Sequence, residues 1–176
     1  MTRAVALATS IAAFALACNV PEQGGENGGE NKMAPELVLS KLDGSGTISL
    51  AEQRGKVVLV DLWATWCAPC ISELPHLQAL SDKYGDEDFL MLGIVLESGD
   101  PEEVREFVAE KNVSYPQVLG EDGTKESFGP FLGYPTKYLI DREGRVVKRY
   151  FGVRGEEIET DVAALVETGV LADSGT

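Results

Sequence analysis

At 176 residues, 44% of them hydrophobic, the chain can bury one substantial core and is too short for two ordinary domains once its ends are set aside. Its formal net charge of -14, with few Lys and Arg interleaved among acids, excludes a nucleic-acid-binding surface, because phosphate recognition needs clustered cations. The same charge favours solubility.

Met1-Thr2-Arg3 leads into an apolar run, Ala4 to Ala17, broken only by Thr9 and Ser10. At about 14 residues the run falls short of the roughly 20 that a membrane-spanning helix requires, so residues 1–17 read as a signal peptide. It ends in Ala15-Leu16-Ala17-Cys18, which resembles the lipobox where bacterial lipoproteins are cleaved and acylated on the Cys. Leu16 lies one residue closer to the Cys than is usual, and Ala15 takes its customary place. The expectation is lipidation of Cys18; the alternative is an ordinary cleavage nearby. Residues 18–35, rich in Gly, Asn and Glu and without apolar period, read as a flexible linker that would hold a domain on the order of 20 Å from a membrane. The folded domain is expected over residues 36–171, with a disordered tail at 172–176.

Leu37 to Leu42, the turn Asp43-Gly44-Ser45-Gly46 and Thr47 to Leu50 read as an N-terminal hairpin. Lys56 to Trp63 is nearly all apolar and β-branched, as in a strand covered on both faces. Ile71, Leu74, Leu77, Leu80 and Tyr84 then recur at helical spacing, with Pro69 suited to the first turn and Pro75 expected to kink the helix. Phe89 to Leu96 supplies another buried strand. Asp100 reads as an N-cap with Pro101 at the first helical position and Glu103 placed to complete a capping box. Thr136 to Asp141 and Arg145 to Phe151 form a second hairpin about Arg142-Glu143-Gly144, and Ile158, Val162, Leu165 and Val166 mark a last helix from Gly155 to Gly169.

Two of the three cysteines, Cys67 and Cys70, stand three apart at the start of the first helix, where their sulfurs can meet. Unpaired N–H groups and the helix dipole favour a thiolate at Cys67, making it the attacking sulfur. Cys70, deeper in the helix, would resolve the mixed disulfide. Zinc is the first alternative, but a closed site takes four ligands and the chain offers one His and no second Cys pair. A purely structural disulfide is the second, and so small a loop constrains the unfolded chain little. No metal or cofactor is called for, since the dithiol itself carries the electrons.

The segment VVLVDLWATWCAPCISELP, with Leu42-Asp43-Gly44 and Gly55-Lys56 upstream and Gly133-Tyr134-Pro135-Thr136 and Leu139-Ile140-Asp141-Arg142-Glu143-Gly144 downstream, resembles the TlpA/ResA branch of thioredoxin-like proteins. The resemblance covers about 130 residues, Glu36 to Thr168. It implies an α/β thioredoxin-like fold, a mixed central sheet flanked by helices, with an extra N-terminal hairpin. Carried over by position, Pro135 matches the cis-proline facing the dithiol, where the preceding backbone can pair with an extended substrate. Trp66, Ala68, Pro69, Tyr134 and Thr136 would form the surrounding substrate contacts, with Tyr134 departing from the small or β-branched residue usual there. Glu73 matches an active-site carboxylate that influences cysteine protonation. Asp61 matches the buried Asp of thioredoxin, where TlpA relatives often carry Asn; buried, it would have a raised pKa and could accept the proton of Cys70. Trp63 and Trp66 flank the site, and His76 reads as a helix-surface residue.

The branch implies a reductase in the bacterial periplasm or cell envelope, drawing electrons from a membrane thiol transporter and reducing disulfides of exported proteins, apocytochrome c among the candidates. Two other classes compete. A peroxiredoxin-like peroxidase would use a Thr-x-x-Cys nucleophile with a supporting Arg. A binding module on the same fold would have no use for an intact Cys67, Cys70 and Pro135.

Overall fold

The computed structural model describes residues 31–85 and 88–171. The expectations placed on the signal peptide, on Cys18 and on the tail 172–176 lie outside the described residues. Thirteen elements follow in chain order: strands β1 (Lys32–Met33), β2 (Val38–Ser40) and β3 (Thr47–Ser49), a 3-10 turn (Ala51–Gln53), β4 (Val57–Trp63), α1 (Ala68–Tyr84), β5 (Phe89–Val95), α2 (Pro101–Glu110), β6 (Gln117–Leu119), α3 (Thr124–Ser127), β7 (Thr136–Ile140), β8 (Arg145–Phe151) and α4 (Gly155–Thr168). Six strands form one sheet in the order β1-β8-β7-β4-β5-β6, and β2-β3 stand apart as a hairpin. The β4–β5 and β5–β6 pairs are parallel; β4–β7, β7–β8 and β1–β8 are antiparallel.

The apolar run of β4 is the centre of this sheet, and every one of its residues is buried. Alternate residues face opposite ways, and two layers follow. Val58, Val60 and Leu62 meet Leu39, Leu50 and Phe128, from the hairpin, the turn after it and the end of α3. Val57 and Leu59 on the other face meet Leu77 and Leu80 of α1 and Ile158, Val162 and Leu165 of α4. Trp63 continues that face and joins Cys70 and Leu74 of α1 with Val104 and Val108 of α2. Each aliphatic side chain so buried contributes about 1.5–3 kcal/mol relative to exposure.

The start of α2 follows its N-cap and proline signals, while among the described residues no hydrogen bond from Asp100 N to Glu103 completes the expected capping box. Asp100 accepts a hydrogen bond from Glu102 N at 2.8 Å with Pro101 next to it. Pro75 sits inside α1, which runs on to Tyr84, and the proline is exposed, so its ring meets solvent rather than core. Four elements were not anticipated, the 3-10 turn at Ala51–Gln53 among them. Lys32–Met33 pair with Val146 and Arg145 of β8, so the stretch read as linker through Pro35 joins the sheet before Glu36; main-chain pairing needs no apolar side-chain period. β6 and α3, of three and four residues, are too short to carry one.

Candidate active site

β4 leads through Ala64, Thr65 and Trp66 directly into α1. Cys67 is the N-cap of that helix, its Sγ accepting a hydrogen bond from Cys70 N at 3.3 Å. Pro69, the second helical residue, lacks an N–H, so the third residue supplies the donor. The two cysteines form a disulfide with Cα atoms 5.3 Å apart. Cys67 is 5% exposed and Cys70 1%, so the sulfur nearer the solvent is the one that the helix N-terminus would stabilise as a thiolate.

The expected surroundings assemble here. The Tyr134–Pro135 bond is cis, and Tyr134 packs against the apolar cluster that holds both cysteines. The Tyr134 ring meets Trp66 edge-on at 5.4 Å and Phe131 at 4.9 Å. Trp66 is exposed, its indole donating to Glu97 O at 2.7 Å. Glu97 follows β5 in the left-handed region, φ 50°, and its carboxylate pairs with Lys125. Ala68 and Pro69 are exposed beside Trp66. Thr136 is buried and donates to Gly133 O at 2.6 Å, which makes it a brace of the cis-proline loop rather than an open contact. Gly152 N donates to Pro135 O at 3.0 Å, tying the segment that leads into the exposed Val153 to the cis-proline.

Beneath the disulfide lies a row of polar residues. Asp61 occupies the face of β4 between Leu59 and Trp63, and α1 presents Glu73 between Cys70 and Leu77. Asp61 is opposite Lys137 on β7 and Gly93 on β5, and Gly93 is opposite Gln117 on β6. A Cβ on Gly93 would stand 2.2 Å from Gln117 Oε1, so only glycine lets that amide lie across the sheet, where Oε1 accepts from Trp63 Nε1 at 3.0 Å. Lys137 is fully buried and pairs with Glu73 Oε2; its Nζ is 3.6 Å from Asp61 Oδ1. Glu73 Oε1 accepts from Arg154 N at 3.0 Å. Burial raises the Asp61 pKa to about 6, with Lys137 opposing and Glu73 reinforcing the shift.

Sequence reading brought Cys67, Cys70, Asp61, Glu73 and Pro135 to this place and missed Lys137, Gln117 and Gly93. The signal for Lys137 was present, a lone charge in the run Thr136 to Ile140, but a hairpin strand is ordinarily free to turn such a charge outward. His76 is half-buried, its Nε2 3.0 Å from Gly155 O, so it pins the start of α4 to α1. Among the described residues, no three His, Cys, Asp or Glu side chains gather as a metal site.

Comparison with known proteins agrees with this geometry. The Redoxin family pattern matches residues 29–166. The chain is 34% identical over 131 residues to a thiol-disulfide oxidoreductase ResA of Bacillus cereus, covering 72% of each chain. It is 30% identical over 125 residues to the thioredoxin-like protein YneN of Bacillus subtilis, covering 70% of this chain and 72% of that one. Among solved structures, the thioredoxin domain of a thiol-disulfide oxidoreductase from Bacteroides vulgatus superposes with a TM-score of 0.70 at 28% identity, over 78% of this chain and 98% of that one. A thiol:disulfide interchange protein of the thioredoxin family from Chlorobium tepidum TLS gives a TM-score of 0.70 at 25% identity, over 78% and 97%. A helix-capping cysteine pair beside a cis-proline, on a sheet of this topology and with these relatives, places the chain in the Redoxin family as a ResA-like protein-disulfide oxidoreductase with a thioredoxin-like fold.

Proposed function

We propose that the protein works outside the cytoplasm as a reductase of disulfides in exported proteins, held at the membrane by a lipid on Cys18. The observation that carries the exchange reading is the buried carboxylate Asp61, on the β4 face that α1 covers with Cys70; the reducing direction follows from the resemblance to ResA-like proteins. Its raised proton affinity suits it to take a proton from the resolving thiol.

The cycle starts from the dithiol. The Cys67 thiolate attacks a client disulfide; one client sulfur leaves as a thiolate and a mixed disulfide forms. Cys70 gives its proton to Asp61 and attacks the Cys67 sulfur. The Cys67–Cys70 bond forms, the bond from Cys67 to the client breaks, and the second client sulfur departs. The client gains two electrons and, with protons from Asp61 and solvent, two thiols. A membrane thiol transporter would then return the pair to the dithiol. Apocytochrome c fits as a client because haem attachment requires both cysteines of its motif reduced. The aromatic pair of Trp66 and Tyr134 offers an extended client segment a surface beside the cis-proline.

Trapping tests this. With Cys70→Ala expressed in its own cell envelope, the mixed disulfide at Cys67 cannot be resolved, and the expected adducts are exported proteins, apocytochromes among them. An absence of adducts would refute reduction of exported clients. Peroxide consumption by the wild type with a thiol donor would favour the peroxidase class instead.

A further inference from the structure

The space between β4, β7 and α1 holds two carboxylates and one ammonium, all nearly excluded from water. One lysine balances one carboxylate, and the contacts show which. Lys137 Nζ is hydrogen-bonded to Glu73 Oε2, and the other oxygen of Glu73 takes the Arg154 N–H. Both oxygens of Glu73 are therefore engaged by donors. Asp61 Oδ1 has no hydrogen-bond partner among the described residues and faces the ammonium only across 3.6 Å. The groups acting on Asp61 are Lys137 from β7, Glu73 from α1 and, from the segment before β6, Tyr115, whose buried hydroxyl is held protonated by burial and by the charges of Asp61 and Glu73.

The geometry points to Lys137 as a positioning residue that divides the work of the two acids: paired with Glu73, it withdraws that carboxylate from proton transfer and leaves Asp61 as the acceptor of the Cys70 proton. This rests on the exchange reading above and deepens it. The resemblance alone gave both carboxylates a hand in cysteine protonation; the ion pair separates them. The Lys137 ammonium meets the two carboxylates and works through them rather than on sulfur. It acts by neutralising Glu73, whose uncompensated charge so close by would hold a proton on Asp61, and by remaining near enough to favour the ionised form of Asp61.

A disulfide that reports each step separately provides the test. Reduced protein mixed with dithiobis(nitrobenzoate) releases one thionitrobenzoate when Cys67 attacks and a second when Cys70 resolves, and the pH dependence of the second release follows the acceptor. Lys137→Met leaves two buried carboxylates without a cation and should move the midpoint of the second release up by about one pH unit or more, slowing it roughly tenfold below the new midpoint. Glu73→Gln keeps an acceptor for Arg154 N, frees the ammonium for Asp61 and should move the midpoint down. The double variant, which removes a neutral pair, should return toward wild type, a rescue that a merely structural lysine would not show. If Lys137→Met does not fold, judged by circular dichroism, the direction of the Glu73→Gln shift decides alone. Loss of the pH-dependent second release in Glu73→Gln would overturn the proposal by making Glu73 the acceptor, as would shifts of the same sign in both single variants or no shift in either. Absence of the first release in the wild type would instead sink the exchange reading beneath it.

Discussion

Asp61→Asn should stabilise the fold at neutral pH while impairing the reaction. Burial raises the Asp61 pKa from the ordinary 3.8 to about 6, so the folded chain binds this proton more tightly than the unfolded chain does. The favourable contribution is complete below pH 3.8 and is lost as pH rises through about 6, because above that the folded state must hold an ionised carboxylate in the interior. At about 1.36 kcal/mol per tenfold change in proton affinity, the difference amounts to about 3 kcal/mol. Asparagine keeps the shape and removes the charge. Urea unfolding of oxidised wild type and Asp61→Asn across pH 3 to 8 should therefore give nearly equal stabilities at the acid end and a gap opening to about 3 kcal/mol by pH 7, or roughly 10 °C in Tm. Titrating groups that do not interact with Asp61 cancel in the difference. Parallel pH curves, or a variant less stable than wild type at pH 7, would refute the reasoning that burial of the Asp61 charge outweighs its compensation by Lys137.

Gly93→Ala should cost about 1–3 kcal/mol by pushing the Gln117 amide off Trp63, seen as a lower urea midpoint; a change under about 0.5 kcal/mol would mean that the amide moves freely. Removing the cap with Asp100→Ala should destabilise by about 1 kcal/mol, read from the same experiment, and an unchanged midpoint would show that the start of α2 does not depend on it. Tyr134→Ala takes away the ring against which Trp66 rests. Aromatic pairs contribute about 0.5–1.5 kcal/mol, so KM for a peptide disulfide should rise roughly 2- to 10-fold, and an unchanged KM would remove this cluster from client binding. By contrast, Lys83→Ala, which breaks an exposed ion pair between α1 and α4, should change stability by less than about 1 kcal/mol; a larger loss in thermal unfolding would show that α4 docking depends on it.

Much of this architecture was legible because each long element carries a period that burial enforces. The run of β4 has no polar face to show, and it proved central; the three-and-four spacing of α1 matched the stripe packed on the sheet. The cysteine pair was legible for a different reason, since chemistry at a helix N-terminus depends on neighbours in sequence. Lys137 was not, because its pairing with Glu73 spans 64 residues and nothing local distinguishes a buried lysine from one that turns outward. Gln117 and Gly93 were hidden likewise: their partnership is a register across parallel strands, and β6 is too short to announce itself. β1 was missed because it is held to the sheet by main-chain pairing through a stretch whose composition reads as linker.

The burial of the two sulfurs has a kinetic consequence. Cys70 is all but sealed, and Cys67 has only a small window. Whatever gives electrons to the disulfide and whatever receives them from the dithiol must both reach the same atom through the same opening, beside the same proline. They cannot be bound together. Turnover is therefore ping-pong, with each half-reaction ending before the next begins, and at high concentration the oxidised client and the electron donor should hinder each other by occupying the opening in the wrong half of the cycle.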